Sequence, residues 1–124
     1  MNQVVGLALL GLAGAAGTLL RAGCTAAAVR LCGPAFPWGT LAVNIAGSFA
    51  FGAIYSYVRS RGLPTDFDSV LLVGLLGGFT TYSSFAFQSV EMAESGRGPA
   101  AAAYVVATTL LGLGAAWCGL RCFR

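Results

Sequence analysis

The sequence predicts an all-α membrane protein with four transmembrane helices, and three observations carry that prediction. Fifty-seven percent of the 124 residues are apolar, only 9% are charged, and the mean hydropathy is +0.80. Seven basic and four acidic side chains cannot coat a water-soluble domain, so the natural solvent for this composition is a bilayer. A spanning helix takes about 20 mainly apolar residues, so the chain holds four spans with short connections, as one domain over residues 1–124. That leaves no room for a separate soluble domain or for a large substrate cavity within one chain. Function should therefore require assembly.

The first span covers about residues 4–29 and is rich in Ala, Gly and Leu, with Arg21 well inside its C-terminal half. No basic stretch precedes it, and its apolar run is too long for a signal peptide, so it stays as a span. Gly33-Pro34-Ala35-Phe36-Pro37 stops it. The second span, about 38–57, has Trp38 at one end and Tyr55 and Tyr57 at the other, the aromatic flanks of an interfacial belt. A polar connection from Arg59 to Asp68 follows. The third span, about 69–92, is irregular at its centre, where Gly77-Gly78 precede Phe79-Thr80-Thr81-Tyr82-Ser83-Ser84-Phe85. Adjacent glycines followed by a run of hydroxyls make a poor continuous helix, so this helix should be broken near its centre. Glu94 to Pro99 forms the last loop, and the fourth span covers about 100–120.

Small residues four apart, Ala13 and Gly17, Ser48 and Gly52, Gly74 and Gly78, allow close helix approach in lipid. The four cysteines (Cys24, Cys32, Cys118, Cys122) lie in or beside apolar segments and read as small apolar fillers. Cys118 and Cys122 share a helix face, but two thiols without histidine make a poor metal site. All basic residues are arginines, scattered along the chain as membrane-flanking anchors, with no cluster to suit nucleic acid. Arg59, Arg61, Arg121 and Arg124 fall on one side of the membrane, with Arg30, Arg97 and the nearby Arg21 toward the other. Four against three barely fixes an orientation, and a chain that inserts both ways could pair with itself antiparallel.

Polar groups deep in a bilayer are informative because they are costly unless satisfied. The second span offers Asn44 and Ser48, with Phe51 near the same face, and the fourth offers Tyr104 and Thr108. The third offers Thr80, Thr81, Tyr82, Ser83 and Ser84 beside the irregular backbone. All of these donate hydrogen bonds, and none is an acid or a lysine. A proton-coupled cation transporter needs a membrane-buried carboxylate, whereas Glu91 and Glu94 lie at the loop end of the third span. A hydrolase needs a base beside its serine, and the chain has no histidine. Donors with Arg21 near one end suit a small hard anion, and the positive edge of Phe85 can face such an anion. Duller roles compete: helix–helix bonding for Asn44, an interfacial position for Tyr104, and intrahelical bonding for Thr108.

The stretches Trp38-Gly39-Thr40-Leu41-Ala42-Val43-Asn44 and Gly47-Ser48-Phe49, followed by Gly77-Gly78-Phe79-Thr80-Thr81-Tyr82-Ser83-Ser84-Phe85, resemble the CrcB/Fluc fluoride channel family. The first helix, ending Gly17-Thr18-Leu19-Leu20-Arg21, is similar too, and the resemblance covers the whole chain. It implies a dual-topology antiparallel homodimer in the bacterial inner membrane that exports fluoride passively and is not an enzyme. It implies two pores and a central structural sodium ion held by the backbone carbonyls of Gly77 and Thr80 from both subunits, with the adjacent glycines permitting the backbone angles. The implied fluoride path runs past Asn44, Tyr82 and Phe85 and along the hydroxyls of Ser83, Ser84, Tyr104 and Thr108, with Arg21 at a vestibule. Two positions depart from the family pattern: Tyr82 stands where Phe is usual, and Gly112 where a further hydroxyl is common.

Two other readings fit four short spans. A small multidrug-type antiporter needs a carboxylate in its first helix, and residues 1–30 contain none. A membrane scaffold would leave the polar stretch from Thr80 to Ser84 without purpose.

Overall fold

The computed structural model describes residues 2–63 and 68–123. Among these, the chain is helical without strands, and four helical segments are long and apolar enough to cross a membrane. Helix α1 is Gln3–Cys32, about 45 Å long at 1.5 Å per residue. Asn2 caps its start by accepting from the Val4 N–H at 3.2 Å. Gly33, at φ +81°, ends it by donating to the Val29 carbonyl. Helix α2 is Trp38–Arg61 and stops at Gly62, in the left-handed region. The third segment begins with a π-wound stretch, α3 (Ser69–Leu76), and one further turn, α4 (Gly77–Phe79). Helix α5 is Tyr82–Glu94 and α6 is Gly98–Arg121, with Pro99 in its first turn.

Two bounds differ by three residues or more from the sequence reading. Helix α1 continues to Cys32, because no breaker precedes Gly33. Helix α2 takes in Arg59, Ser60 and Arg61, expected in the connection, because nothing stops the winding before Gly62. On α2 these arginines fold back over the rings of Tyr55 and Tyr57, at 5.1 and 5.5 Å. Arg121 likewise lies 4.7 Å from the Trp117 ring centre on α6. The rest of the expected connection, residues 64–67, lies outside the described residues.

Helix α2 packs most extensively on α6 and also contacts α1. Helices α3 and α4 lie on α1, whereas α5 lies on α6. The third segment therefore changes neighbours partway across the bundle. Glycines set the closest approaches. A Cβ on Gly17 would stand 2.9 Å from the Phe79 nitrogen, and one on Gly74 would stand 2.9 Å from the Ala13 Cβ. The pairs Ala13/Gly17 and Gly74/Gly78 thus pack on each other across α1 and the third segment. Gly52 makes the same contact with α6, where its Cβ would meet the Leu120 nitrogen at 2.8 Å. Packing of this closeness replaces the hydrophobic drive that lipid cannot supply.

The fully enclosed interior is small, centred on Leu41, Met92, Ala101 and Tyr104. Leucines such as Leu7, Leu12, Leu19, Leu110 and Leu113 point outward, as hydrocarbon solvent permits. The four cysteines also face outward as free thiols, so they do not fill the interior of the subunit as the sequence suggested.

Candidate functional site

The site is built where the third segment leaves helical winding. Gly77 has ordinary helical angles, φ −61° and ψ −38°. Thr80 (φ −87°, ψ 161°) and Thr81 (φ −152°, ψ 112°) are the extended residues. Positive φ occurs, among the described residues, only at Gly33, Gly62 and Gly96. The expectation that Gly77 and Gly78 supply unusual backbone angles is therefore corrected. Gly78 serves close packing instead: its Cβ would stand 3.1 Å from the Thr18 nitrogen and closer still to the Gly14 carbonyl.

Extended backbone in an apolar medium needs partners for its N–H and C=O groups. Asn44 supplies both for Thr81. Its Oδ1 accepts from the Thr81 N–H at 2.8 Å, and its Nδ2 donates to the Thr81 carbonyl at 3.0 Å. The side-chain amide so stands in for a neighbouring strand. Gly47, one turn from Asn44, makes room for the adjacent Thr80 side chain. The Thr81 hydroxyl then starts α5, accepting from the Ser84 N–H at 3.2 Å and donating to the Ser84 Oγ at 3.0 Å.

These bonds release two carbonyls. Continuing α-helix would bring the Thr81 N–H to the Gly77 carbonyl and the Ser84 N–H to the Thr80 carbonyl. Both N–H groups go elsewhere, the first to Asn44 and the second to the Thr81 hydroxyl. Thr80 keeps its own N–H and hydroxyl on the Leu76 carbonyl, both at 2.9 Å. Neutral carbonyl oxygens freed in this way suit a hard monovalent cation. Among the described residues no three His, Cys, Asp or Glu side chains gather as metal ligands, so side-chain coordination has no counterpart here.

Two cavities flank Thr81, which lines both. The first, about 450 Å³, brings together Asn44, Ser48, Tyr82, Phe85 and Thr108 with Phe51 and Gly112. The second, about 730 Å³, is lined by Arg21, Arg30, Thr18, Thr25, Ser84 and Gln88. Among the described residues no carboxylate borders either, so Arg21 gives the second a positive potential without a neutralising acid among them.

The expected path residues divide accordingly. Asn44, Tyr82, Phe85 and Thr108 share the first cavity, and Ser84 and Arg21 share the second. Ser83 is exposed, 3.4 Å from the Thr81 hydroxyl, and lines neither. Tyr104 also lines neither: it is fully buried and donates to the Gln88 Oε1 at 3.0 Å. Its ring packs edge-on against Phe85 and Phe36, at 5.3 and 5.4 Å between centres. Tyr82 is 79% exposed, its ring 5.8 Å from that of Phe85. Residue reading missed Thr81 as the clasped residue and Gln88 altogether. The signal was the spacing of Thr81, Ser84 and Gln88, which puts three polar groups along one face of α5.

A bundle of four apolar helices with donor-lined cavities around an extended turn defines a small multi-pass membrane protein. The chain belongs to the CrcB family: residues 8–120 match the family described as CrcB-like protein, Camphor Resistance (CrcB). It is similar to several proteins named fluoride-specific ion channel FluC. The one from Nitratidesulfovibrio vulgaris is 43% identical over 121 residues, covering 97% of this chain and 95% of the relative. That from Anaeromyxobacter dehalogenans is 46% identical over 112 residues, covering 90% and 89%. That from Rhizobium etli is 39% identical over 117 residues, covering 94% of each.

Proposed function

We propose that this chain is a fluoride channel that lets the ion leave the bacterial cytoplasm passively across the inner membrane. The observation that carries the proposal is the cavity beside Thr81, lined by hydrogen-bond donors and aromatic edges with no carboxylate, in a chain whose relatives are named as fluoride channels. Fluoride holds its water shell tightly, so a path must replace that shell with fixed donors. Asn44 keeps one amide N–H beyond the one given to Thr81, and Thr108 lines the same cavity. The Phe85 ring edge, with that of Tyr82, presents positive quadrupole to an anion passing Thr81. Arg21 raises the local anion concentration in the second cavity, which continues past Ser84. Gln88, held by Tyr104, sits on that cavity's wall as a neutral residue, so it neither repels nor traps the ion.

In the same proposal two copies assemble antiparallel, giving two pores. Ser83 and Tyr82 lie on the exposed surface of one subunit, and a second copy laid against that surface turns them inward. Gly77 and Thr80 of both copies then present their freed carbonyls to one sodium ion, which supplies structural cross-linking and is not carried. Chemistry on substrate has no part in the mechanism: no base accompanies the serines, and the activity is conduction, not catalysis.

The test is fluoride efflux from proteoliposomes, read with a fluoride electrode after potassium permeability is supplied by an ionophore. Release down the gradient, without a proton requirement and without matching chloride release, is the expected result. Absence of fluoride release from vesicles that contain correctly assembled protein overturns the proposal.

A further inference from the structure

We infer that Ser48 and Thr108 hold a fixed water molecule in the gap left by Gly112, and that this water serves as a hydrogen-bond donor on the wall of the Asn44 cavity. The inference rests on the fluoride-path reading for its functional part and on geometry for the site itself.

Four observations meet at this spot. First, the Thr108 Oγ1 is buried and has no hydrogen-bond partner among the described residues, although a buried hydroxyl ordinarily has one. Second, the Ser48 hydroxyl gives its single proton to the Asn44 carbonyl at 2.7 Å, which leaves its lone pairs to accept. Third, a Cβ placed on Gly112 would meet only the Ser48 Oγ within 4 Å, at 3.7 Å. The space between Gly112 and Ser48 is thus bounded by a hydroxyl and is otherwise free. Fourth, Ser48, Thr108 and Gly112 line one cavity of about 450 Å³ with Asn44.

A buried water needs about 30 Å³ and two to four polar partners. Here Thr108 can donate to it and Ser48 can accept from it, which satisfies the orphaned hydroxyl and leaves the water one proton free. That proton is left for the cavity that both hydroxyls share with Asn44. Among the described residues of the subunit Thr108 has no other partner, so the site is held by the cost of leaving that hydroxyl unpaired. Gly112 is required because any side chain there occupies the space beside the Ser48 oxygen.

Two measurements on the full-length protein in lipid test this. A high-resolution structure should show water density within hydrogen-bond distance of the Ser48 Oγ and the Thr108 Oγ1. Gly112→Ala, whose methyl fits without a clash, should erase that density while the helices stay in place. In proteoliposomes Gly112→Ala should lower fluoride flux at least fivefold. Gly112→Ser carries its own hydroxyl into the gap and should restore flux to within about twofold of the unaltered protein. Missing density at Ser48 and Thr108 overturns the site even when fluoride flux is normal. Density present with equal flux in the Gly112→Ala variant overturns the donor role. A silent unaltered protein with the water in place instead overturns the fluoride reading and with it the donor role, leaving the site standing.

Discussion

Truncating Asn44 to alanine should destabilise the subunit by about 2 kcal/mol. The Thr81 peptide has two polar groups, both held by the Asn44 amide, at 2.8 Å through its N–H and 3.0 Å through its carbonyl. Thr81 is only 7% exposed, so neither group turns freely to solvent. Each buried polar group left unpaired costs about 1–3 kcal/mol, giving about 2–6 kcal/mol for the pair. The adjoining cavities can admit water to Thr81, which places the expected loss at the lower end. About 2 kcal/mol lowers the folded-to-unfolded ratio roughly thirtyfold. Equilibrium unfolding in mixed detergent micelles, followed by far-ultraviolet circular dichroism, measures it. A variant with the midpoint and slope of the unaltered protein refutes the clasp. Asn44→Asp tests conduction, and it also loses one bond of the clasp, because a carboxylate cannot donate to the Thr81 carbonyl. It keeps an acceptor for the Thr81 N–H but places negative charge on the anion path, so fluoride flux should fall at least tenfold. Unchanged flux removes Asn44 from that path.

Gly78→Val should abolish recovery of monodisperse protein, because its side chain is driven into the Gly14 backbone; a normal size-exclusion profile counts against the close crossing. Gly77→Ala should leave the subunit folded, since Gly77 is helical and an added Cβ meets nothing closer than the Leu72 carbonyl oxygen at 3.9 Å. Loss of helical signal in that variant would restore the idea that Gly77 needs glycine-only angles. Arg21→Gln should reduce fluoride entry several-fold at low ionic strength, and the deficit should shrink in about 0.1 M impermeant salt, where the screening length is about 10 Å. A deficit that does not change with salt assigns Arg21 a packing role instead.

The four spans were legible because long apolar runs end at residues with a definite effect on backbone: Gly33 with Pro34, Gly62, and Gly96 with Pro99. The pairing of Ala13/Gly17 with Gly74/Gly78 was legible as small-residue spacing, although spacing does not say which pairs meet. The π winding of Ser69–Leu76 was not legible, since Val and Leu residues around one glycine fit either winding. The unusual backbone angles expected of Gly77 and Gly78 fall on Thr80 and Thr81 instead. Glycine permits irregular backbone, but partners decide where it occurs, and here the partner is Asn44, 37 residues away. The hydroxyls of the candidate path were read as one set because chemistry alone does not give their direction. Tyr104 turned inward to Gln88, Ser83 outward, and only Thr108 toward Asn44's cavity.

The change of neighbours along the third segment has a practical consequence. Everything from Ser69 to Phe79 answers to α1, and everything from Tyr82 to Glu94 answers to α6. Thr80 and Thr81 form the seam, tied down by one residue of α2. A chimera joined at that seam can exchange the front half of the segment together with α1 and keep the Gly17 and Gly74 crossings whole, whereas the rear half must travel with both α6 and α2, which meet closely at Gly52. The third segment thus has a junction point inside a span, at Thr80 and Thr81.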